Sequence, residues 1–148
     1  MYVGGLVQHN RGSNTSAHCF FELEDILTSA RYPLTQNLGP SSQSCALDTA
    51  ALAEASYALR QAIARRVHIV IINTFGTQEA MGRGMRNEMA QIATAGIPML
   101  TAVGQRYLDE WRDFVGENAL LLPLSFHAVR SWTLQAQDGA CGATPPHN

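Results

Sequence analysis

The residues Val67-His68-Ile69-Val70-Ile71-Ile72-Asn73 constrain this chain more than any others. A strand with one wet face alternates polar and apolar side chains, whereas a nearly unbroken apolar run belongs to a strand covered by helices on both sheet faces. The flanks agree with that reading. Before the run, Asp48 stands at a helix N-cap position, and Leu52, Ala55, Leu59, Ala62 and Ile63 recur at helical spacing through Arg66, an amphipathic helix of about five turns. After it, a glycine-containing loop over residues 74–84 leads to a second helix over 85–95. Gly96 closes that helix, and Ile97-Pro98-Met99-Leu100-Thr101-Ala102-Val103 follows as another apolar strand.

The same pattern extends outward. Residues 2–8 and 18–23 read as two short strands separated by a cluster of turn formers over 10–16. Residues 31–47 hold Pro33, Gly39 and Pro40 and read as irregular chain with a short strand near 32–35. A helix over 108–115 carries Trp111 on its apolar face, a last strand is expected over 119–122, and Ser125 caps a final helix to about Gln135. Residues 1–136 thus form a single α/β domain, a three-layer parallel sheet with right-handed crossovers, and residues 137–148 a disordered tail. Such sheets bind ligands outside the carboxyl ends of their strands. Gln8, His9, Asn10 and Arg11 leave the first strand there, residues 73–84 leave the core strand, and Gly104, Gln105 and Arg106 leave the next one.

Composition narrows the chemistry. No stretch approaches the roughly 18–20 apolar residues of a transmembrane helix, and the first residues carry no basic n-region, so the expected location is cytoplasmic and no membrane partner is expected. A net charge of -2 gives no global attraction to nucleic acid. All ten basic residues are arginines, which excludes a P-loop lysine, Schiff-base chemistry and a lysine general base. Cys19, Cys45 and Cys141 are an odd, widely spaced set with no Cys-x-x-Cys pair, against a disulfide framework or zinc knuckle.

The polar loop after the core strand is the strongest functional signal. Arg83 and Arg86 sit three apart beside a helix N-terminus, a setting suited to an anion. The competing reading makes Glu79 and Arg83 an i, i+4 surface pair and leaves Arg86 to nearby carboxylates. His9, Asn10 and Arg11 offer a titratable ring, an amide and a guanidinium at a strand end, either an oxyanion contact or a solvated loop. Cys19 and Cys45 are weak metal-ligand candidates. His18 and Cys19, adjacent in a strand, point to opposite faces, and a buried apolar cysteine is the commoner role. His68 reads as an interior residue of the core strand, and Trp111, Trp132, Met81, Met85 and Met89 as packing.

Several segments taken together resemble a known family. They are Val3-Gly4-Gly5-Leu6-Val7-Gln8-His9-Asn10-Arg11, Leu23-Glu24-Asp25-Ile26, Gln36-Asn37-Leu38-Gly39 with Cys45-Ala46-Leu47-Asp48, the string from Ile72 through Gly84, and residues 96–103. Over about residues 3–116 they resemble a bacterial domain family of unknown function whose genes often lie beside molybdate-transport or nitrogenase genes. The string Asn-x-Phe-Gly-x-Gln-Glu-Ala-x-Gly-Arg-Gly is the specific part. That family is in turn similar to small P-loop nucleoside triphosphatases, in which an Asp-Glu-x-Gly strand end holds a metal. Here the corresponding strand end is Asn73-Thr74-Phe75-Gly76, and no Gly-x-x-x-x-Gly-Lys-Ser/Thr occurs. The family's pattern carries a basic residue where Thr74 stands. The resemblance further implies a strand-helix unit of about thirty residues before Val-Gly-Gly. The sheet is therefore expected to be a degenerate P-loop fold lacking its first unit, with a central strand missing.

Three functions follow as expectations. The first is a non-catalytic protein binding a small oxyanion or an anionic cofactor, with molybdate or tungstate suggested only by the family's genomic company. Arg11, Arg83 and Arg86 would neutralise charge, and His9, Asn10, Asn73, Thr74 and Gln78 would donate hydrogen bonds. The second is an enzyme acting on a nucleotide or phosphoester, with Glu79 as general base. The third is an interaction module in metal-cofactor assembly. The sequence names no cofactor. A homo-oligomer is expected, with the first strand, residues 2–8, at the contact.

Overall fold

A computed structural model of the chain describes residues 1–10, 21–36 and 46–140. Its centre is a five-stranded sheet of order β3-β2-β1-β6-β7, built from β1 (Val3–Asn10), β2 (Phe21–Asp25), β3 (Arg31–Pro33), β6 (Ile69–Phe75) and β7 (Met99–Val103). Two further short strands, β4 (Thr35–Gln36) and β5 (Ala46–Leu47), pair with each other. β1, β6 and β7 run parallel, whereas β2 is antiparallel to both β1 and β3. The expected all-parallel sheet is therefore a parallel core with an antiparallel flank, in which β2 runs back alongside β1.

One face of the sheet carries the main core. Helix α1 (Thr49–Ala64) begins where Asp48 caps it, the carboxylate accepting from the amides of Ala50 (3.0 Å) and Ala51 (3.1 Å). Its buried stripe is Ala51, Ala55, Ala58, Leu59 and Ala62, small enough to bring the helix close to β1. Gly4 completes that approach: a Cβ there would lie 2.8 Å from the Cβ of Ala62. Its neighbour Gly5 has φ of +125°, and a Cβ on it would overlap the carbonyl of Ile71 in β6. The Val-Gly-Gly signature is thus a packing requirement toward a helix on one residue and toward a neighbouring strand on the next.

β6 is covered on both faces, as its composition demands. Val70 and Ile72 join Leu6, Leu23, Leu59, Met85, Met89 and Ile92 in the core, and Ile69, on the alternate face, is equally inaccessible at 2%. Helix α3 (Arg86–Thr94) packs against α1 and β7, and α5 (Phe126–Ala140) packs against β6. Near its end β6 holds a bulge: Ile72 pairs with Thr101 but Thr74 with Ala102. The extra residue returns Phe75 to the core beside Val70 and Ile72. There its ring meets Trp111 (5.2 Å between centroids) and Phe114 (5.8 Å) of α4 (Leu108–Val115).

The flank behaves differently. Leu23 and Asp25 of β2 are buried, while Glu22 and Glu24 alternate onto the opposite face. There Arg31 binds Glu22 (2.5 Å) and Glu24 (3.3 Å), and these carboxylates raise the pKa of its guanidinium, its hydrogen bond to Glu22 foremost. Among the described residues, a helix therefore covers only part of the second sheet face, short of the full third layer expected.

Several further expectations change. Residues 119–122 form no strand, and α5 runs past Gln135 to Ala140. His68 precedes β6, half-buried, and its Nδ1 accepts from the Tyr2 amide (3.0 Å). Met81 is 61% exposed, whereas Met85 and Met89 are buried. The sheet order has no gap at its centre: β1 is hydrogen-bonded to β2 on one side and β6 on the other. β1 therefore offers no free edge to a second copy, so the expected strand pairing through residues 2–8 is ruled out. Among the described residues, no helix is long and apolar enough to cross a membrane.

Candidate functional site

The loop between β6 and α3 is organised by one carboxylate. Gly76 leaves the strand, a single turn follows as α2 (Thr77–Ala80), and Glu79 turns back over both ends of the loop. Its Oε2 accepts from the Gly76 amide (3.0 Å) and its Oε1 from the Met85 amide (3.2 Å). Gly84 passes beneath that carboxylate at φ of +61°, and a Cβ there would overlap Oε1 of Glu79. Arg86 adds the second tie, donating from Nη1 to the backbone carbonyl of Glu79 (3.1 Å) while its guanidinium lies over the Phe114 ring at 4.9 Å. Much of the string from Asn73 to Gly84 therefore builds the loop.

The remaining polar groups face outward. Asn73 and Thr74, displaced by the bulge, bond to each other, Nδ2 donating to Oγ1 at 3.1 Å. Thr74, Thr77, Gln78 and Arg83 are exposed. Among the described residues Arg83 forms no ion pair; its backbone amide donates to the carbonyl of Gln78 (2.7 Å) and fixes the turn that carries it. Neither half of the competing surface-pair reading holds: Glu79 is engaged by amides, and Arg86 by a carbonyl and a ring.

A second loop joins the first at the carboxyl edge of the sheet. After β7, a 3-10 turn (Gln105–Tyr107) brings the Tyr107 hydroxyl onto Oγ1 of Thr77. Exposed Arg106 rides over the Tyr107 ring at 4.9 Å. Tyr107 and Thr77 were not singled out by their sequence pattern. Arg106 was legible only as a residue leaving a strand end.

The group expected from β1 divides. His9 Nε2 lies 2.7 Å from Oε2 of Glu24, which also receives Arg31, so its ring belongs to the charged network of the antiparallel flank. Asn10 is the last residue of β1. Arg11, His18, Cys19 and Cys45 lie outside the described residues. The structure thus places Asn73, Thr74, Gln78, Glu79, Arg83 and Arg86 along one loop, while the His9 ring is engaged by Glu24 of β2. A cleft of about 410 Å³ lies elsewhere, between α4 and the segment after it, lined by Trp111, Arg112, Gly116, Glu117, Ala119 and Leu121.

The chain is 37% identical over 130 residues to the molybdenum import ATP-binding protein ModC 2 of Bradyrhizobium diazoefficiens. The matched region is 88% of this chain and 14% of that protein, so the chain spans about a seventh of the relative's length. No solved structure matches significantly. A family model described as protein of unknown function (DUF2478) matches residues 1–132, and the chain belongs to that family.

Proposed function

We propose that this chain is a non-catalytic binding module for a small tetrahedral oxyanion, molybdate or tungstate, held at the carboxyl edge of β6 and β7. The observation that carries the reading is the division of labour in the loop after β6. Glu79 and Arg86 are consumed in holding the loop, while Arg83 is presented on it with Thr74 and Gln78 beside it. Arg106, steadied on Tyr107, adds a second cation at the same edge. An exposed guanidinium with hydroxyl and amide neighbours suits an oxyanion, since its fork can give two parallel hydrogen bonds. The similarity to part of a molybdenum import protein favours molybdate among oxyanions.

An ATP-binding relative also raises a nucleotide-acting enzyme. That reading needs Glu79 as general base, and a carboxylate with both oxygens engaged by backbone amides is poorly placed to take a proton from substrate. Calorimetric titration with molybdate, tungstate, sulfate, phosphate and ATP separates the two. Molybdate or tungstate should bind, and Arg83→Ala should weaken binding about tenfold or more, as a charge-assisted hydrogen bond contributes roughly 1.5–3 kcal/mol. Absence of binding by every oxyanion, or affinity unchanged in a folded Arg83→Ala variant, overturns the proposal.

A further inference from the structure

Among the described residues, no strand pairs with the outer edge of β7. The Pro98 carbonyl accepts from the Val70 amide (3.0 Å), so it points toward β6. Backbone groups alternate along a strand, so Leu100 and Ala102 also turn to β6, and Met99, Thr101 and Val103 direct their N–H and C=O groups outward. Among the described residues the sheet ends there. Edges that stay single are blunted by charge, proline or a bulge in the edge strand. Met99-Leu100-Thr101-Ala102-Val103 has none of these, and the bulge in this ladder belongs to β6.

A second observation lies close by. Leu120, Leu121, Leu124 and Phe126 are 66%, 54%, 106% and 84% exposed. Leu121 shares a cleft with Trp111, whose ring packs on Phe75, and Phe75 is the ladder partner of Val103 in β7. The four side chains together present on the order of 550 Å² of mainly apolar surface. That is near the upper range of the largest patch on a typical monomer and a large part of the roughly 800 Å² each partner contributes to a standard interface.

We propose that two copies of this chain join antiparallel along β7, about a two-fold axis at Thr101, making one continuous ten-stranded sheet with the Leu120–Phe126 patches covered in the same interface. A second copy fits this edge because like meets like in a two-fold contact. Thr101 falls opposite Thr101, Met99 opposite Val103 and Leu100 opposite Ala102 of the other copy, so no like charges are juxtaposed. The small net charge of -2 per chain adds little long-range repulsion.

Sedimentation equilibrium of the full chain at tens of micromolar tests this. The parent chain should be a dimer, and Thr101→Pro a monomer with unchanged circular dichroism, because proline at 101 removes only an outward N–H and leaves the β6 ladder intact. Should Thr101→Pro fail to fold, Thr101→Glu sets two carboxylates at the axis and should raise the dimer dissociation constant at least tenfold. A monomeric parent chain, or a dimer unmoved in either folded variant, overturns the proposal.

Discussion

Glu79→Gln distinguishes a carboxylate that holds a loop from one kept for proton transfer. In the parent chain the two oxygens each accept one backbone amide, from Gly76 at 3.0 Å and Met85 at 3.2 Å. Glutamine retains one accepting oxygen and turns an NH2 toward the other amide, so one hydrogen bond is lost and a donor is left facing a donor. Hydrogen bonds to charged groups contribute roughly 1.5–3 kcal/mol in favourable cases. Glu79 is half-buried, so the lower part of that range applies, about 1–2 kcal/mol for glutamine and about 2–3 for alanine, which releases both amides. At about 2–4 °C per kcal/mol for a domain of this size, Tm should fall by about 2–8 °C for Glu79→Gln and by more for Glu79→Ala. The loop can also open without global unfolding, so exchange at the Gly76 and Met85 amides should accelerate in both variants. A Glu79→Gln protein with unchanged Tm and unchanged exchange at those two amides would refute the clamp and return Glu79 to the candidates for chemistry.

Gly5→Ala should prevent folding or cost several kcal/mol, since its φ of +125° and the Ile71 carbonyl leave no room for a methyl group; a soluble variant with parental urea midpoint would contradict that packing. Tyr32 has its pKa raised above the ordinary 10.0 by burial first, then by Asp25 and Glu54. The unfolded chain therefore ionises this phenol first, so the stability it contributes is present below about pH 10 and is lost as pH rises toward the folded value. Alkaline unfolding monitored by circular dichroism should be less steep in Tyr32→Phe, and superimposable pH profiles of the two proteins would show the assignment wrong.

The elements nearest the core were legible because their sequence signals are local. The Asp48 cap and the helix after it stand where they were expected, and the apolar run marked the core strand, although that strand spans Ile69–Phe75, two residues later than the run from Val67 to Asn73. Phe75 shows where periodicity stops. Strict alternation puts it with Ile69 and Ile71, yet the bulge at Asn73 turns it to the other face, and nothing in Ile-Asn-Thr-Phe announces that extra residue. The direction of β2 was equally hidden, since a strand-loop-strand pattern does not say whether the sheet around it is parallel. Residues 119–122 have strand composition but no ladder beside them, so composition alone could not make them a strand. At the site, the spacing of Arg83 and Arg86 correctly marked one loop, but the equivalence of the two arginines was an artefact of looking at charge without partners.

The partners matter because they separate two reasons for a motif to be specific. In the string from Asn73 to Gly84, Gly76 supplies an amide and Glu79 the carboxylate that receives it. Gly84 supplies a left-handed turn with no Cβ to collide with that carboxylate, and Arg86, just beyond, supplies the tie to α4 through Phe114. These residues can identify the family while disclosing nothing about a ligand, since any function carried on this loop needs them. Chemistry is left to the side chains that the architecture does not spend, Thr74, Gln78 and Arg83, with Arg106 across the Thr77–Tyr107 bond. Exposed residues of this kind can change between relatives without disturbing the loop, so a shared frame does not require a shared ligand. On the proposed reading, the positions that would decide what this protein binds are therefore the ones its most specific motif leaves least constrained.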